Sequence, residues 1–219
     1  MVMLRDAFVR TAYEFVGTKE KSAGHQTIVD IYNSIVPLPR GYKVTVLDPW
    51  CAIFVSAMLY ISGVLDSIPV AECSCTKMLT MFKMNPKYGT VVTEQTDPTM
   101  DMISYGDLIF YGPKASPVGE SSHVGIVYAK HNYDIKTIEG NWRNSVYMRM
   151  RQCGTKVWDG VAAYVKIKFP DEVWQGELAA AKDWCVTEEL IKGDENGINW
   201  KEPVTLERLA VILHRLCTT

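Results

Sequence analysis

Apolar residues recur with a helical period over residues 4–16, at Leu4, Ala7, Phe8, Ala12, Phe15 and Val16, and Gly17 ends the pattern. A second amphipathic run over 24–35 places Ile28, Ile31, Tyr32 and Ile35 on one face, and Pro37-Leu38-Pro39-Arg40-Gly41 stops it. Residues 42–47 read as a short extended stretch. The segment 48–63 is apolar almost throughout. In it Asp48 suits a cap, Pro49 suits the first helical position and Gly63 the end, so it is predicted as a buried helix beginning near Cys51. A fourth helix is predicted over 74–84, where Met78, Leu79, Met81 and Phe82 read as core filler, and Asn85-Pro86-Lys87-Tyr88-Gly89 breaks it.

From residue 107 the rhythm becomes strand-like. Segments 107–111, 123–128, 135–139, 145–150 and 161–167 predict five short strands, with 130–134 as a hairpin turn. Helices first and sheet afterwards is an α+β order, with an antiparallel sheet and the cysteine helix packed on one face. After Pro170 the pattern returns to helices, over about 174–187 and 204–216. The division predicted is a catalytic domain over 1–169 and a small helical unit over 170–219. A unit of that size rarely folds unaided, so it is expected to dock or to oligomerise.

Composition narrows the class. The 219 residues are 47% hydrophobic and 22% charged, with a net charge of −2, which fits an ordinary globular protein and excludes general binding to nucleic acid or an anionic membrane. Met1 to Phe8 carries charges where a signal peptide needs an apolar run, so cytoplasmic synthesis without a leader is expected, and no run is long enough for a membrane span. The six cysteines, Cys51, Cys73, Cys75, Cys153, Cys185 and Cys217, form no compact disulfide pattern and are expected as free thiols. Cys73-Ser74-Cys75 is half of a metal site that nothing completes, so neither metal nor cofactor is expected.

Candidate chemistry centres on Cys51. A thiol at a helix N-terminus feels roughly +0.5 of an elementary charge, which favours the thiolate, although a cysteine before an apolar helix also fits a plain core position. A thiol amidase needs an imidazole and a group to orient it. His123 opens an apolar strand after the 114–122 loop, whereas His25, His131 and His214 suit exposed or structural places. If the hairpin is centred near Asn132, position 123 pairs with a residue near 139 to 141, so Glu139 or Asn141 would bond to the His123 ring.

These residues resemble a known family. Trp50-Cys51-Ala52-x-Phe54-Val55, Gly106-Asp107-Leu108-Ile109-Phe110, His123-Val124-Gly125-Ile126-Val127 and Ile138-Glu139-Gly140-Asn141 look like the blocks of CHAP domains within the NlpC/P60 superfamily of peptidoglycan amidases and endopeptidases. Over about 4–168 the resemblance implies a papain-like α+β fold with Cys51 as nucleophile, His123 as general base, Glu139 as orienting acid and Asn141 as a fourth polar contributor. Trp50 stands where several relatives carry a polar residue. It is therefore taken as a candidate substrate contact, and the Cys51 backbone N–H as the oxyanion donor. Residues 42–47 lack the acidic calcium loop of some relatives, so no calcium requirement is expected.

The C-terminal unit resembles an SLH repeat through Ala179-Ala180-Ala181-Lys182-Asp183-Trp184, Leu190-Ile191-Lys192-Gly193 and Pro203-Val204-Thr205-Leu206-Glu207. The resemblance implies wall binding or, for a single copy, homo-oligomerisation. Together the resemblances imply a peptidoglycan hydrolase of the phage or prophage endolysin kind, released by a holin-type protein and partnered by bacterial peptidoglycan. A catalytically inert wall-binding or assembly protein, and a thiol amidase acting on another substrate, are the alternatives.

Overall fold

The helical periods become four α-helices among the described residues, which in this computed structural model are 3–112, 121–152 and 156–172. These are α1 (Leu4–Glu14), α2 (Ala23–Asn33), α3 (Cys51–Ile61) and α4 (Cys75–Met84). Each lies within a few residues of its sequence expectation. In α3 every residue from Cys51 to Leu59 is buried, as expected of a helix that is apolar all round.

The start of α3 differs from expectation. Asp48 does not cap the helix; its carboxylate accepts from Thr45 N, Thr45 Oγ1 and Tyr42 Oη and so closes a tight turn over 45–48. Trp50 takes the N-cap position without a side-chain hydrogen bond, and Pro49 lies before the helix.

The strands are β1 (Gly89–Val92), β2 (Leu108–Tyr111), β3 (His123–His131), β4 (Asp134–Trp142), β5 (Ser145–Gln152) and β6 (Val161–Ile167). They form one six-stranded sheet in the order β1-β6-β2-β3-β4-β5, antiparallel at every step. The architecture is α+β, and the sheet has one strand more than the five expected. The extra strand, β1, follows the break at Asn85 and pairs with distant β6, from Gly89 opposite Ile167 to Val92 opposite Tyr164.

Period-two alternation gives the sheet two different faces. Leu108, Phe110, Val124, Ile126, Ile138, Ala163 and Val165 join the core made with the helices. Ile109, Tyr111, Val127, Ile135 and Tyr164 form a second cluster with Val157 and Trp158. Gly140 allows α3 to settle on the sheet, because a Cβ there would lie 2.5 Å from the Cβ of Phe54.

The chain divides into two compact units, Met1–Pro170 and Asp171–Thr219. The expected SLH-like helices of 170–219 lie outside the described residues beyond Glu172. Among the described residues no helix is long and apolar enough to cross a membrane.

Candidate active site

Local backbone chemistry builds the site from three starting points. Cys51 is the first residue of α3, Cys75 the first residue of α4, and His123 the first residue of β3. Ser74 caps α4 by accepting from Lys77 N, and the carboxylate of Glu72 accepts from the backbone of Cys73 and Ser74. Thr76 then ties α4 to the approach to β3: its hydroxyl donates to Ser121 O and accepts from Ser121 N, both at 3.0 Å. The starts of α4 and β3 are thereby fixed beside the start of α3. Cys51 Sγ lies 3.3 Å from Cys75 Sγ.

His123 Nε2 is 2.9 Å from Glu139 Oε2. A carboxylate only accepts, so Nε2 carries the proton toward Glu139, and the ring and the Cys51 thiol each shift the other's pKa. The contact depends on a bulge. Asn132, in the left-handed region at φ 53°, turns the hairpin so that His131 faces Asp134, and an irregularity between Val127 and Ala129 resets the pairing to Ile126 opposite Ile138. Continued, that register brings Gly125 opposite Glu139 and puts Glu139 on the His123 face; without the bulge it would point to the other face.

The Glu139 carboxylate is fully buried and held at both oxygens. Oε1 accepts from Tyr111 Oη and Thr137 Oγ1, each at 2.7 Å. Oε2 bonds to His123 and lies 3.5 Å from Arg149 Nη1. Burial alone would raise its pKa, but these donors outweigh burial and hold it below the usual glutamate value. For His123, burial disfavours the charged ring, yet its bonds to Cys51 and Glu139 prevail and lift the pKa to about 9.

The Cys51 thiol is lowered to about 5, first by the hydrogen bond with Cys75 and against the effect of burial, with His123 and the Ala52 backbone adding to the drop. Cys75 is pushed the opposite way by the adjacent Cys51 sulfur and by burial. The asymmetry has a physical cause, since only Cys51 faces the imidazolium. The shifts favour Cys51 as the more acidic sulfur of the pair and keep the proton on Cys75.

No protein-family profile matches the chain. No curated protein matches it either. A solved structure described as "The crystal structure of Ly7917 with the hydrolyzing product of MDP" is similar over 37% of this chain and 32% of that one, at 19% identity and a TM-score of 0.27. The chain thus spans about a third of that structure, a likeness too slight to carry an argument.

The site brings together Cys51, His123 and Glu139. Asn141 follows in the left-handed region at φ 58°, half-buried, and no hydrogen bond joins it to His123 or Glu139 among the described residues. Trp50, expected as a substrate contact, is buried instead. The residue is only 1% exposed, and its ring lies tilted against the buried ring of His25 in α2, with centroids 4.3 Å apart. The half-buried aromatic near the site is Trp142, whose ring lies 5.8 Å from His123 and carries the Arg149 guanidinium 3.8 Å above it.

Tyr111, Thr137, Arg149 and Cys75 escaped the sequence reading. Tyr111 ends an apolar run and Thr137 sits between Lys136 and Ile138, so both read as ordinary strand residues. Period-two parity with Glu139 was the available signal for Thr137. Asp107, within one of the family-like blocks, lies elsewhere: it is buried, accepts from Ser104 N and Oγ, and pairs with Arg5 at 3.3 Å, joining α1 to the sheet. Among the described residues no cluster of three or more His, Cys, Asp or Glu side chains could hold a metal ion.

Proposed function

We propose that the first unit is a papain-like thiol amidase that cleaves an amide bond of bacterial peptidoglycan. The observation that carries the chemistry is Cys51 at the start of α3, its thiol pKa lowered in part by a His123 ring whose Nε2 lies 2.9 Å from the buried Glu139. The resemblance of four sequence blocks to those of CHAP domains supports the substrate class.

In this reading the Cys51 thiolate attacks the scissile carbonyl and forms a tetrahedral oxyanion. The first intrahelical bond of α3 is Phe54 N to Trp50 O, so the N–H groups of Cys51, Ala52 and Ile53 precede the ladder and are the donors nearest the developing charge. The imidazolium of His123 gives its Nδ1 proton to the leaving amine, and a thioester remains on Cys51. Water then attacks the thioester as His123 takes its proton, and the carboxylate product leaves. Glu139 remains ionised throughout, fixing the ring and stabilising its charge. Trp142 and Arg149 form the partly exposed wall beside the reacting centre and are the candidate substrate contacts.

Turbidity of purified bacterial walls tests this function. The parent protein should clear them and Cys51→Ala should not; equal clearing by both removes Cys51 as nucleophile. Mass spectrometry of the released fragments then distinguishes a muramoyl–alanine bond from a stem-peptide bond.

A further inference from the structure

The mechanism uses one sulfur, yet two occupy the site. Cys51 Sγ and Cys75 Sγ are 3.3 Å apart, and both residues are buried at the first positions of their helices. A disulfide spans about 2.05 Å, so the sulfurs need approach by little more than ~1 Å. Cys73, two residues away, is turned elsewhere: its Sγ lies 3.4 Å from Glu72 Oε1 and 3.8 Å from Arg40 Nη1.

The geometry points to Cys51 and Cys75 as an oxidation site at which hydrogen peroxide closes a disulfide across the nucleophile. The Cys51 thiolate attacks one peroxide oxygen and the O–O bond breaks. The departing hydroxide takes up a proton to leave as water, and Cys51 becomes a sulfenic acid. The Cys75 sulfur then attacks the Cys51 sulfur, the S–O bond breaks, and the hydroxyl leaves as a second water with the Cys75 proton. Two thiols have lost two hydrogens, and one peroxide has become two waters. The first step assists the second. Once Cys51 is neutral, the negative charge that kept Cys75 protonated is gone, and Cys75 becomes the better nucleophile. The closed form lacks the attacking sulfur, and a thiol reductant restores it.

This inference rests on Cys51 as the reactive thiol of the proposed function, and its test is read by mass so that the two can fail separately. The full-length protein is treated with a small molar excess of hydrogen peroxide, its remaining thiols are alkylated, and the chain is cut after glutamate. Glu72 lies between Cys51 and the Cys73–Cys75 pair, so the disulfide joins two peptides.

The expected product is that joined pair, lighter by two hydrogens, released by dithiothreitol and still formed in Cys73→Ser. In Cys75→Ala, Cys51 should instead proceed to sulfinic acid. Three results overturn the proposal: Cys51 remaining reduced, Cys51 reaching sulfinic acid in the parent while Cys75 is alkylated, or a joined pair that vanishes in Cys73→Ser. Alkylation of the untreated protein reports separately whether Cys51 is a reactive thiolate at all.

Discussion

Gly125 stands across the β3–β4 ladder from Glu139, and a Cβ on it would lie 2.8 Å from Glu139 Cγ and 3.3 Å from its Cδ. The glycine is the space into which the orienting carboxylate fits. Gly125→Ala should therefore displace the carboxylate from His123, lower wall-clearing activity by roughly 10²-fold and reduce stability by about 1–3 kcal/mol. Urea unfolding beside the clearing rate checks both. Parental activity in the alanine variant would show that Glu139 need not occupy this position.

Tyr111 holds the other side of that carboxylate. Tyr111→Phe keeps the ring and deletes one hydrogen bond to a buried charge, a loss of about 1.5–3 kcal/mol by urea unfolding. The pKa of Glu139 should rise toward the usual range as it loses a donor. Its carbonyl stretch in difference infrared spectra, followed as pH falls, should show protonation at higher pH than in the parent; an unshifted titration contradicts the role given to Tyr111.

Trp142 lies beside His123, and Arg149 bridges the Trp142 ring and the Glu139 carboxylate. Trp142→Ala should raise KM for wall fragments more than it lowers kcat, by roughly tenfold, the scale of a lost aromatic contact. A change confined to kcat would make Trp142 a positioning group for His123 instead.

The buried His25 predicts a loss of stability in mild acid. Burial keeps its pKa below 6.5, against an opposing pull from Glu20, and its Nδ1 accepts from Lys21 N at 2.9 Å. Protonation must break that bond. Because the unfolded state binds the proton more readily, this contribution is fully present above pH 6.5 and is lost as pH falls toward the lower folded-state pKa. Urea unfolding of the parent should weaken between pH 7 and 5, and His25→Phe should show a smaller decline over the same window. Equal declines would place the acid sensitivity elsewhere.

Much of this arrangement was legible in the chain because it depends on short periods. The helical repeats around Phe8, Ile28 and Leu79, and the strands at Ile109, Ile126 and Val165, follow from spacing alone. The approach of His123 to Glu139 was near enough in hairpin counting to be foreseen, but the bulge near Tyr128 decides which face Glu139 occupies, and no local pattern marks it. Strand β1 was lost because four residues after a proline turn carry little signal and their partner is more than seventy positions away. Cys75 was expected only as a free thiol, since nothing in Cys73-Ser74-Cys75 reveals that Thr76 will dock on Ser121 and bring the start of α4 against α3. Trp50 was misplaced for a similar reason: its burial under His25 is made by α2, a tertiary contact.

The central claim is that Cys51 is a thiolate, favoured first by the Cys75 S–H and further by His123. Its rate of alkylation by iodoacetamide, followed by peptide mass across pH 4 to 10, measures this directly. The account predicts that Cys51 reacts faster than the other cysteines at neutral pH, with its rate rising through about pH 5, and that His123→Ala moves the rise upward. A Cys51 that ionises near the ordinary thiol range of about 8.5, unaffected by His123→Ala, would contradict it.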